Sequence, residues 1–328
     1  MNNQAIGVII VTYNRKKLLL QCLEALKKQT YPFKGIIVVD NASQDGTEKL
    51  LYQNNYLDSL PPSSIKSEWE YNNLIDFFNE RKVHFTYIKL SQNLGGAGGF
   101  HIGLKKAYEK GYKWFWLMDD DGIPSPTCLE TLWRYRNVAD FINPLVLSKE
   151  DENRLCCEIL DISTGERIKQ KTQIKKDVYF DTANPFNGTF FNRKLVERIG
   201  FPKKEFFFWG DEIEYMLRAK KHGFKIATIT KAIFYHPKSK LYPIKVDDNI
   251  YISWMDEDLR KYLYFRNKIF ILKNYFQPED VKFFVYKYML AFSKGLLDNK
   301  DLPLVIEAMT DGFLEIWGKE RRFLKESA

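Results

Sequence analysis

The first 120 residues alternate between short apolar segments and amphipathic helical patterns, and this alternation limits the fold more than any other feature. Four segments have the length and apolar character of strands: residues 6–14, 35–41, 83–93 and 113–121. The first two are near-continuous β-branched runs, as in strands buried on both faces of a parallel sheet. Helical patterns cover residues 15–29, 43–53 and 98–111, with Ser43 as the expected N-cap of the second. The order βαβαβαβ predicts an α/β protein with a mostly parallel sheet between helices.

The rest of the chain departs from this alternation. Residues 54–82, broken by Pro61 and Pro62, are interpreted as an insertion whose second part forms one helix. Residues 150–182 alternate between polar and β-branched residues and predict a short antiparallel hairpin. From about residue 246 the sequence becomes helical and aromatic. We therefore expect one α/β domain over residues 1–245 and a helical C-terminal region over residues 246–328.

Composition excludes several classes of protein. The four cysteines, Cys22, Cys128, Cys156 and Cys157, have the spacing of neither a disulfide framework nor a zinc site, which favours a reducing, cytoplasmic setting. No apolar stretch approaches the roughly 18–20 residues of a membrane-spanning helix. The net charge of +8 fits a phosphorylated ligand or an anionic membrane surface. No recognised nucleic-acid motif accompanies the charge, so we expect no nucleic-acid partner.

Three adjacent carboxylates, Asp119, Asp120 and Asp121, follow the apolar run "WFWLM". A solvated strand end that leads into a proline turn is the simplest interpretation. Two considerations oppose that interpretation. Ligands of parallel sheets bind beyond the carboxyl ends of the strands, which is where these residues lie. Mutual repulsion and desolvation also disfavour three adjacent carboxylates unless a cation is present. Carboxylate oxygens are the ligands that Mn²⁺ and Mg²⁺ prefer. The segment therefore predicts a divalent-metal site that leaves coordination positions for a phosphate-bearing ligand.

Two other strand ends carry polar side chains. Asp40 closes the second predicted strand, where a carboxylate can accept hydrogen bonds from a base or a ribose. His236 follows a later apolar run and is stopped by Pro237. A single histidine in such a place is more often structural than a ligand, so its role depends on whether its strand ends beside the aspartates.

Two further segments have candidate roles. The glycine-rich "NLGGAGGFHIG", residues 93–103, matches neither common phosphate-loop pattern, although glycine permits close backbone approach and a helix N-terminus offers free N–H groups. In "FFFWGDEIEY", Asp211 and Glu212 begin an amphipathic helix. They serve either as first-turn acids that complement the helix dipole or as a general base beside an aromatic pocket, with Trp209 as a stacking surface for a sugar.

Taken together, these motifs resemble those of the nucleotide-sugar-dependent glycosyltransferases of family 2, which have the GT-A fold. The resemblance covers about residues 5–240 and includes "VIIVTYNR", "VVDNASQDGT", "NLGGAGGF", "WLMDDDGIP", "FNGTFFNRKL", "WGDEIEY" and "FYHP". The glycine-rich segment and the "WGDE" motif are most similar to the branch of galactofuranosyl- and rhamnosyltransferases that build bacterial cell-wall and surface polysaccharides.

The resemblance implies roles for individual residues. In an inverting transfer, Asp211 is the implied catalytic base, and Trp209 and Glu212 lie near the acceptor. The implied ligands of Mn²⁺ or Mg²⁺ are Asp119, Asp121 and His236. The implied donor-binding residues are Thr12, Tyr13, Arg15, Asp40, Asn93, Gly95, Gly96, Gly98, Gly99 and Asp120.

The implied donor is a UDP- or dTDP-sugar, with galactofuranose favoured over rhamnose, and the implied acceptor is a growing cell-surface glycan or a lipid-linked saccharide. Two other functions stay open at this point: a nucleotidyltransferase, although "VTYNRKK" lacks the glycines it needs, and a non-catalytic glycan-binding protein. The C-terminal region is expected to pack on the catalytic domain, to form a homo-oligomer, or to lie on the inner face of the cell membrane. Its apolar and basic end, "WGKERRFLK", suits a membrane surface but equally fits an ordinary solvated terminal helix.

Overall fold

The computed structural model describes residues 5–77, 81–237 and 242–324. Its strands are β1 Ile6–Thr12, β2 Gly35–Asp40, β3 Glu68–Phe77, β4 Arg81–Leu90, β5 Trp114–Asp119, β6 Ile123–Pro124, β7 Phe141–Ser148, β8 Arg154–Leu160, β9 Arg167–Gln170, β10 Val178–Phe180, β11 Asn187–Asn192, β12 Ile226–His236, β13 Tyr242–Asp247 and β14 Ile250–Trp254. Its α-helices are α1 Lys16–Lys27, α2 Thr47–Gln53, α3 Gly95–Glu109, α4 Cys128–Tyr135, α5 Arg193–Ile199, α6 Asp211–Lys221, α7 Asp258–Tyr275, α8 Pro278–Ser293 and α9 Leu302–Leu314. The protein is thus an α/β protein, as predicted.

The described residues fall into two compact units. The first contains residues 5–204 and 218–237, and the second contains residues 205–217 and 242–324. The chain therefore passes between the units more than once, and the change at residue 217 falls within α6. The boundary predicted at residue 245 stays a prediction.

A large mixed sheet forms the centre of the first unit. Its main path through the described strands is β10-β12-β7-β11-β5-β1-β2-β4-β3. The strands β5, β1, β2 and β4 run parallel to one another, which confirms the alternation predicted for the first 120 residues. Antiparallel strands flank this parallel centre, because β11 pairs with β5 on one side and β3 pairs with β4 on the other.

Helices cover both faces of the parallel strands. Val8 and Ile10 of β1 are fully buried in the cluster that contains Leu19 and Leu23 of α1. On the opposite face, α3 approaches β1 and β2 so closely that a Cβ at Gly103 would lie 2.6 Å from a methyl carbon of Ile9. Because helices cover both faces of these strands, side chains on both faces are buried. This explains why the strand sequences are continuously apolar.

Two local predictions are wrong. The second part of the 54–82 insertion is not a helix: residues 68–77 form β3, an antiparallel partner of β4. Ser43 does not cap α2, which begins after Gly46 in a left-handed conformation (φ +81°), and the Ser43 hydroxyl instead accepts from the Asn14 N–H at 2.9 Å. The hairpin expected within residues 150–182 is confirmed as β8 and β9.

The second unit consists of the β13–β14 hairpin and the helices α7, α8 and α9, together with residues 205–217. Its core is aromatic and includes Tyr262, Phe265, Phe284 and Tyr288, all nearly inaccessible to solvent. Among the described residues, no helix combines the length and the apolar character needed to cross a bilayer.

Candidate active site

The carboxyl ends of the parallel strands bring four predicted site residues together in the first unit. In the strand register, Val11 of β1 lies beside Asp119 of β5, and Thr12 lies beside Asp40 of β2. The Thr12 hydroxyl donates a 2.6 Å hydrogen bond to Oδ2 of Asp120, which is 2% exposed. Adjacent parallel strands therefore place these side chains at one edge of the sheet, as the sequence predicted.

Positive groups surround the three aspartates. Arg15 donates from Nη1 to Asp120 Oδ1 at 3.3 Å and to Asp121 Oδ2 at 2.9 Å. The Lys149 ammonium, just after β7, donates to the backbone carbonyl of Asp121. Sequence reasoning missed Lys149, because a single lysine after a strand carries no distinguishing pattern. These cations offset part of the repulsion among the carboxylates.

His236 ends β12 beside the aspartates. Its Nε2 lies 3.1 Å from Asp121 Oδ1, and its Nδ1 lies 2.7 Å from the Pro237 carbonyl. One ligand atom from each of Asp119, Asp121 and His236 lies within 4.8 Å of the others. Two carboxylate oxygens and an imidazole nitrogen at that spacing match the donors that Mn²⁺ accepts. The residues present therefore fit a divalent cation.

The electrostatics also favour a cation at this point. Burial, with the neighbouring charge of Asp121, raises the pKa of Asp119 to about 7. Burial alone would also raise the pKa of Asp121, but the hydrogen bond and charge of His236 outweigh it and hold that pKa below its ordinary value. Burial raises the pKa of Asp120 to about 6 despite the charge of Arg15. Burial lowers the pKa of His236, but the hydrogen bond and the charge of Asp121 outweigh it and raise that pKa to about 10. Without metal the imidazole is therefore protonated at neutral pH, and a divalent cation must displace this proton to bind Nε2.

Asp40 is completely buried at the end of β2. Its Oδ1 accepts from the Ser43 N–H at 2.7 Å, its Oδ2 accepts from the Tyr87 hydroxyl, and Lys89 Nζ lies 3.8 Å away. Burial raises its pKa even though these partners act in the opposite direction. By contrast, Tyr13 is 45% exposed one residue beyond β1, where its ring is free to stack on a flat ligand.

The glycine-rich segment is attached to the same strand ends. Asn93 accepts from the Gly95 N–H at 2.8 Å, and the buried Asn41 amide donates to the Gly95 carbonyl at 2.8 Å. Gly98 and Gly99 are needed for packing, because a Cβ there would collide with Leu94 and Val11 respectively. Gly96 differs from them, since a Cβ at that position would meet nothing within 4 Å.

The insertion borders the same edge of the sheet. A pocket of about 420 Å³ opens beside the ends of β2 and β4. One wall contains Ser43 and Lys89, and the insertion supplies Leu60 and Pro61 to the other. The insertion, which had no predicted role, thus helps to shape the surface next to Asp40.

Asp211, Glu212 and Trp209 belong to the second unit. Asp211 is the first residue of α6 and is 4% exposed. Glu212 is hydrogen-bonded to Asp211 and to the Gly210 N–H, yet burial dominates and raises its pKa. Trp209 packs edge-to-face on Tyr264 with ring centroids 5.7 Å apart. Asp211 and the partly buried Trp209 thus lie two residues apart at the start of α6, and their roles in base catalysis and acceptor binding stay predictions.

Two families of known proteins match the chain in sequence. The model of "Glycosyl transferase family 2" matches residues 7–57, and that of "Glycosyltransferase like family 2" matches residues 70–246, more than half of the chain. The galactofuranosyltransferase GlfT1 of Mycolicibacterium smegmatis is 26% identical over 92% of this chain and 93% of its own length. GlfT1 of Mycobacterium tuberculosis is 26% identical over 82% of each chain.

A solved structure agrees on the fold. The crystal structure of S. aureus TarS residues 1–349 in complex with UDP-GlcNAc superimposes with a TM-score of 0.57, covering 98% of this chain and 84% of that one at 15% identity. The GT-A fold implied by the motifs is thereby confirmed. The family models and the GlfT1 relatives confirm the expectation of a glycosyltransferase enzyme. The chain belongs to the family 2 glycosyltransferases.

Proposed function

We propose that this glycosyltransferase moves a galactofuranosyl residue from a UDP donor to an acceptor hydroxyl, with inversion and with a divalent cation. The observation that carries the proposal is the convergence of Asp119, Asp121 and His236 at the ends of β5 and β12. The likeness to galactofuranosyltransferases over almost the whole chain supports the choice of sugar. The TarS complexes with UDP-GlcNAc and with UDP support a uridine nucleotide.

In this proposal Asp119, Asp121 and His236 would hold Mn²⁺ or Mg²⁺. The cation would stabilise the negative charge of the departing nucleoside diphosphate. Asp120, oriented by Thr12 and Arg15, would accept hydrogen bonds from the donor's hydroxyl groups.

The nucleoside would be bound at the ends of β1 and β2. Asp40, held in place by Ser43 and Tyr87, would accept from the base, and the exposed ring of Tyr13 would stack on it. Asn93 and the open position at Gly96 would line the donor sugar and its phosphates.

Asp211 would be the general base that takes the proton from the acceptor hydroxyl as it attacks. A single displacement of this kind needs one base and forms no covalent intermediate with the enzyme. Because Asp211 is only 4% exposed, few water molecules would compete with the acceptor hydroxyl for its carboxylate. Trp209 would offer an aromatic surface to the acceptor sugar.

The proposed acceptor is a lipid-linked saccharide or a growing cell-surface glycan. The last described residues mix apolar and basic side chains, as in segments that contact an anionic membrane surface. Co-sedimentation with anionic and with neutral lipid vesicles tests this part: we expect retention on the anionic vesicles at low salt, and equal recovery in both supernatants would contradict it.

The donor is tested with a panel of UDP-galactofuranose, dTDP-rhamnose, UDP and dTDP, each with Mn²⁺ and with a chelator. We expect UDP and Mn²⁺ together to raise the thermal midpoint and UDP-galactofuranose to be turned over into a product of inverted anomeric configuration. Selective stabilisation by dTDP, with turnover of dTDP-rhamnose, would establish the alternative donor.

The metal site is tested with Asp121→Asn and with Asp151→Asn as a matched control. Asp151 is an exposed carboxylate shortly after β7 that is not among the predicted ligands. Only Asp121→Asn should abolish the shift in midpoint produced by Mn²⁺ with UDP. Full turnover of the native enzyme in chelator would contradict metal dependence.

A further inference from the structure

The loop that precedes Asp211 has an unusual backbone. Residues 205–210, called the aromatic loop below, include two non-glycine residues in the left-handed region: Phe207 at φ +65° and Trp209 at φ +70°. Gly210 follows at φ +86°. L-residues with side chains rarely adopt such angles, because Cβ then crowds the backbone. Contacts from outside the loop must therefore hold it in this conformation.

The side chain of Asn267 supplies a large part of those contacts. Its Nδ2 lies 3.0 Å from the Phe206 carbonyl oxygen, 3.1 Å from that of Phe208 and 2.7 Å from that of Trp209. The side chain is 1% exposed. The two N–H bonds of one amide are thus shared among three carbonyls of a loop whose irregular path offers them no regular secondary-structure partner.

Arg266 orients that amide. Its Nε donates to Asn267 Oδ1 at 3.0 Å, which directs the amide nitrogen towards the loop. Its Nη2 donates to the carbonyls of Glu205 and Phe206 at 2.9 and 3.0 Å. The guanidinium is fully buried, and its Nη1 donates to Glu320 Oε2 at 2.5 Å.

The same face of α7 continues along the start of α6. A Cβ at Gly210 would lie 3.0 Å from Ile271 Cδ1, and the Tyr275 hydroxyl donates to Glu214 Oε1 at 2.6 Å. Residues 267, 271 and 275 are four apart and therefore share one face of the helix. This face contacts the aromatic loop and then the first turn of α6, which begins with Asp211.

We propose that Asn267, oriented by Arg266, is a positioning residue that sets the backbone path of the aromatic loop and, through it, the placement of the Asp211 carboxylate for catalysis. The inference rests on the proposed function, in which Asp211 is the base. Neither residue is expected to touch the substrates; both act through backbone carbonyls.

The test compares Asn267→Asp with Asn274→Asp. The two changes are chemically identical and lie on the same helix, but the Asn274 amide donates to the Phe270 carbonyl of α7 itself. An aspartate at 267 keeps the shape of the side chain, loses the donor and places a carboxylate against three carbonyl oxygens. We expect kcat to fall about 100-fold, the effect of a misplacement of roughly 1 Å. KM for the donor and the affinity for UDP with Mn²⁺ should stay within about twofold.

Asn267→Ser is the second variant, because it keeps one neutral donor and perturbs folding less. Its kcat should lie between those of the native enzyme and Asn267→Asp. Thermal midpoints of all variants show whether the aspartate variant is folded; if it is not, the serine variant decides. A folded variant at 267 with the kcat of Asn274→Asp would overturn the inference, as would a loss that appears only in KM.

Asp211→Asn is measured in parallel to separate the two proposals. If Asp211→Asn is inactive and the variants at 267 have native kcat, the positioning role alone is wrong. If Asp211→Asn turns over normally, the base assignment fails and the positioning role fails with it.

Discussion

The carboxylates after β5 and the carboxylate at the start of α6 are held by different kinds of structure. Asp119 ends the regular strand β5, and Asp120 and Asp121 follow it. The pairing of β1 with β5 brings Thr12 to Asp120, and the pairing of β12 with β6 brings His236 to Asp121. Asp211 follows a loop with left-handed residues that is held by side chains more than 50 positions later in the chain. The first group of carboxylates lies among charged partners on neighbouring elements, whereas the conformation before Asp211 is held by hydrogen bonds to backbone carbonyls.

The largest effect on activity should come from replacing Asp211, the proposed base. Asp211→Asn should lower kcat by about 10²–10⁴-fold, the typical contribution of general base catalysis, with unchanged affinity for UDP and Mn²⁺. Steady-state kinetics and calorimetric binding of UDP measure the two quantities. Asp248→Asn, a change at an exposed carboxylate of the same unit, is the control and should leave both kcat and the affinity for UDP unchanged. Loss of nucleotide binding in Asp211→Asn would show that the two regions are not separable.

The support of the aromatic loop is tested by Glu320→Ala. This change removes the carboxylate partner of the buried Arg266, and leaving a buried charge unpaired costs about 3–5 kcal/mol. Urea unfolding measures the loss. Glu315→Ala, which breaks an exposed pair with Lys273, should cost less than about 1 kcal/mol. Equal costs for the two variants would mean that the buried pair does not support the loop.

Asp119→Asn, at the strand ends, should stabilise the folded protein, whereas Glu320→Ala should destabilise it. The pKa of Asp119 is raised to about 7, so its ionised form destabilises the folded protein when no cation is bound. Without metal, and at a pH of about 8 where Asp119 is ionised in the folded and the unfolded protein, the variant should therefore be more stable than the native protein. This gain should fade as the pH falls below the raised pKa of Asp119 towards the ordinary value of an aspartate. The variant should also lose the stabilisation by Mn²⁺. A lower unfolding midpoint of the variant than of the native protein, both without metal, would show that the protein's own cations already compensate the charge of Asp119.

The smallest effect is expected from Tyr275→Phe. It removes the hydrogen bond to Glu214 at the first turn of α6 and should cost about 1–3 kcal/mol, because it leaves a fully buried carboxyl group with one hydrogen-bond donor fewer. Tyr286→Phe, at a ring that is 55% exposed, is the matched control and should leave the unfolding midpoint unchanged. A shift in the kcat of Tyr275→Phe larger than its shift in stability would extend the positioning role of α7 to this contact.

The difference between the carboxylates at β5 and the carboxylate at α6 also explains which features could be predicted from the sequence. The parallel strands and their polar ends have local signatures: apolar runs, turn residues and a fixed direction for ligand binding. Thr12 and Asp120 could be expected to lie close together because neighbouring parallel strands end at the same edge of the sheet. The placement of His236 was left open, since it depends on β12 pairing with β7 across a long stretch of chain.

Other features were not predicted, either because a signal in the sequence was overlooked or because the sequence carries no local signal for them. The strand β3 shows alternation at Trp69, Tyr71 and Ile75, whose side chains are less exposed than most of their neighbours, but the insertion was interpreted as a helix. Arg266 and Asn267 are adjacent polar residues in the aromatic helix "YLYFRNKIFIL", which is a recognisable sign of a buried polar contact. Their partners are backbone carbonyls of a loop, and no local pattern reveals those.

The strand β3 also bears on how the protein behaves at high concentration. It ends the main path of the sheet, and an outermost strand is a template on which a strand of another molecule can pair. Glu68, Glu70 and Asp76 lie along it, and Lys106 and Lys110 bind Glu70. Acidic side chains at this border disfavour the approach of an identical border, so we expect their replacement by threonine to promote aggregation while leaving turnover intact.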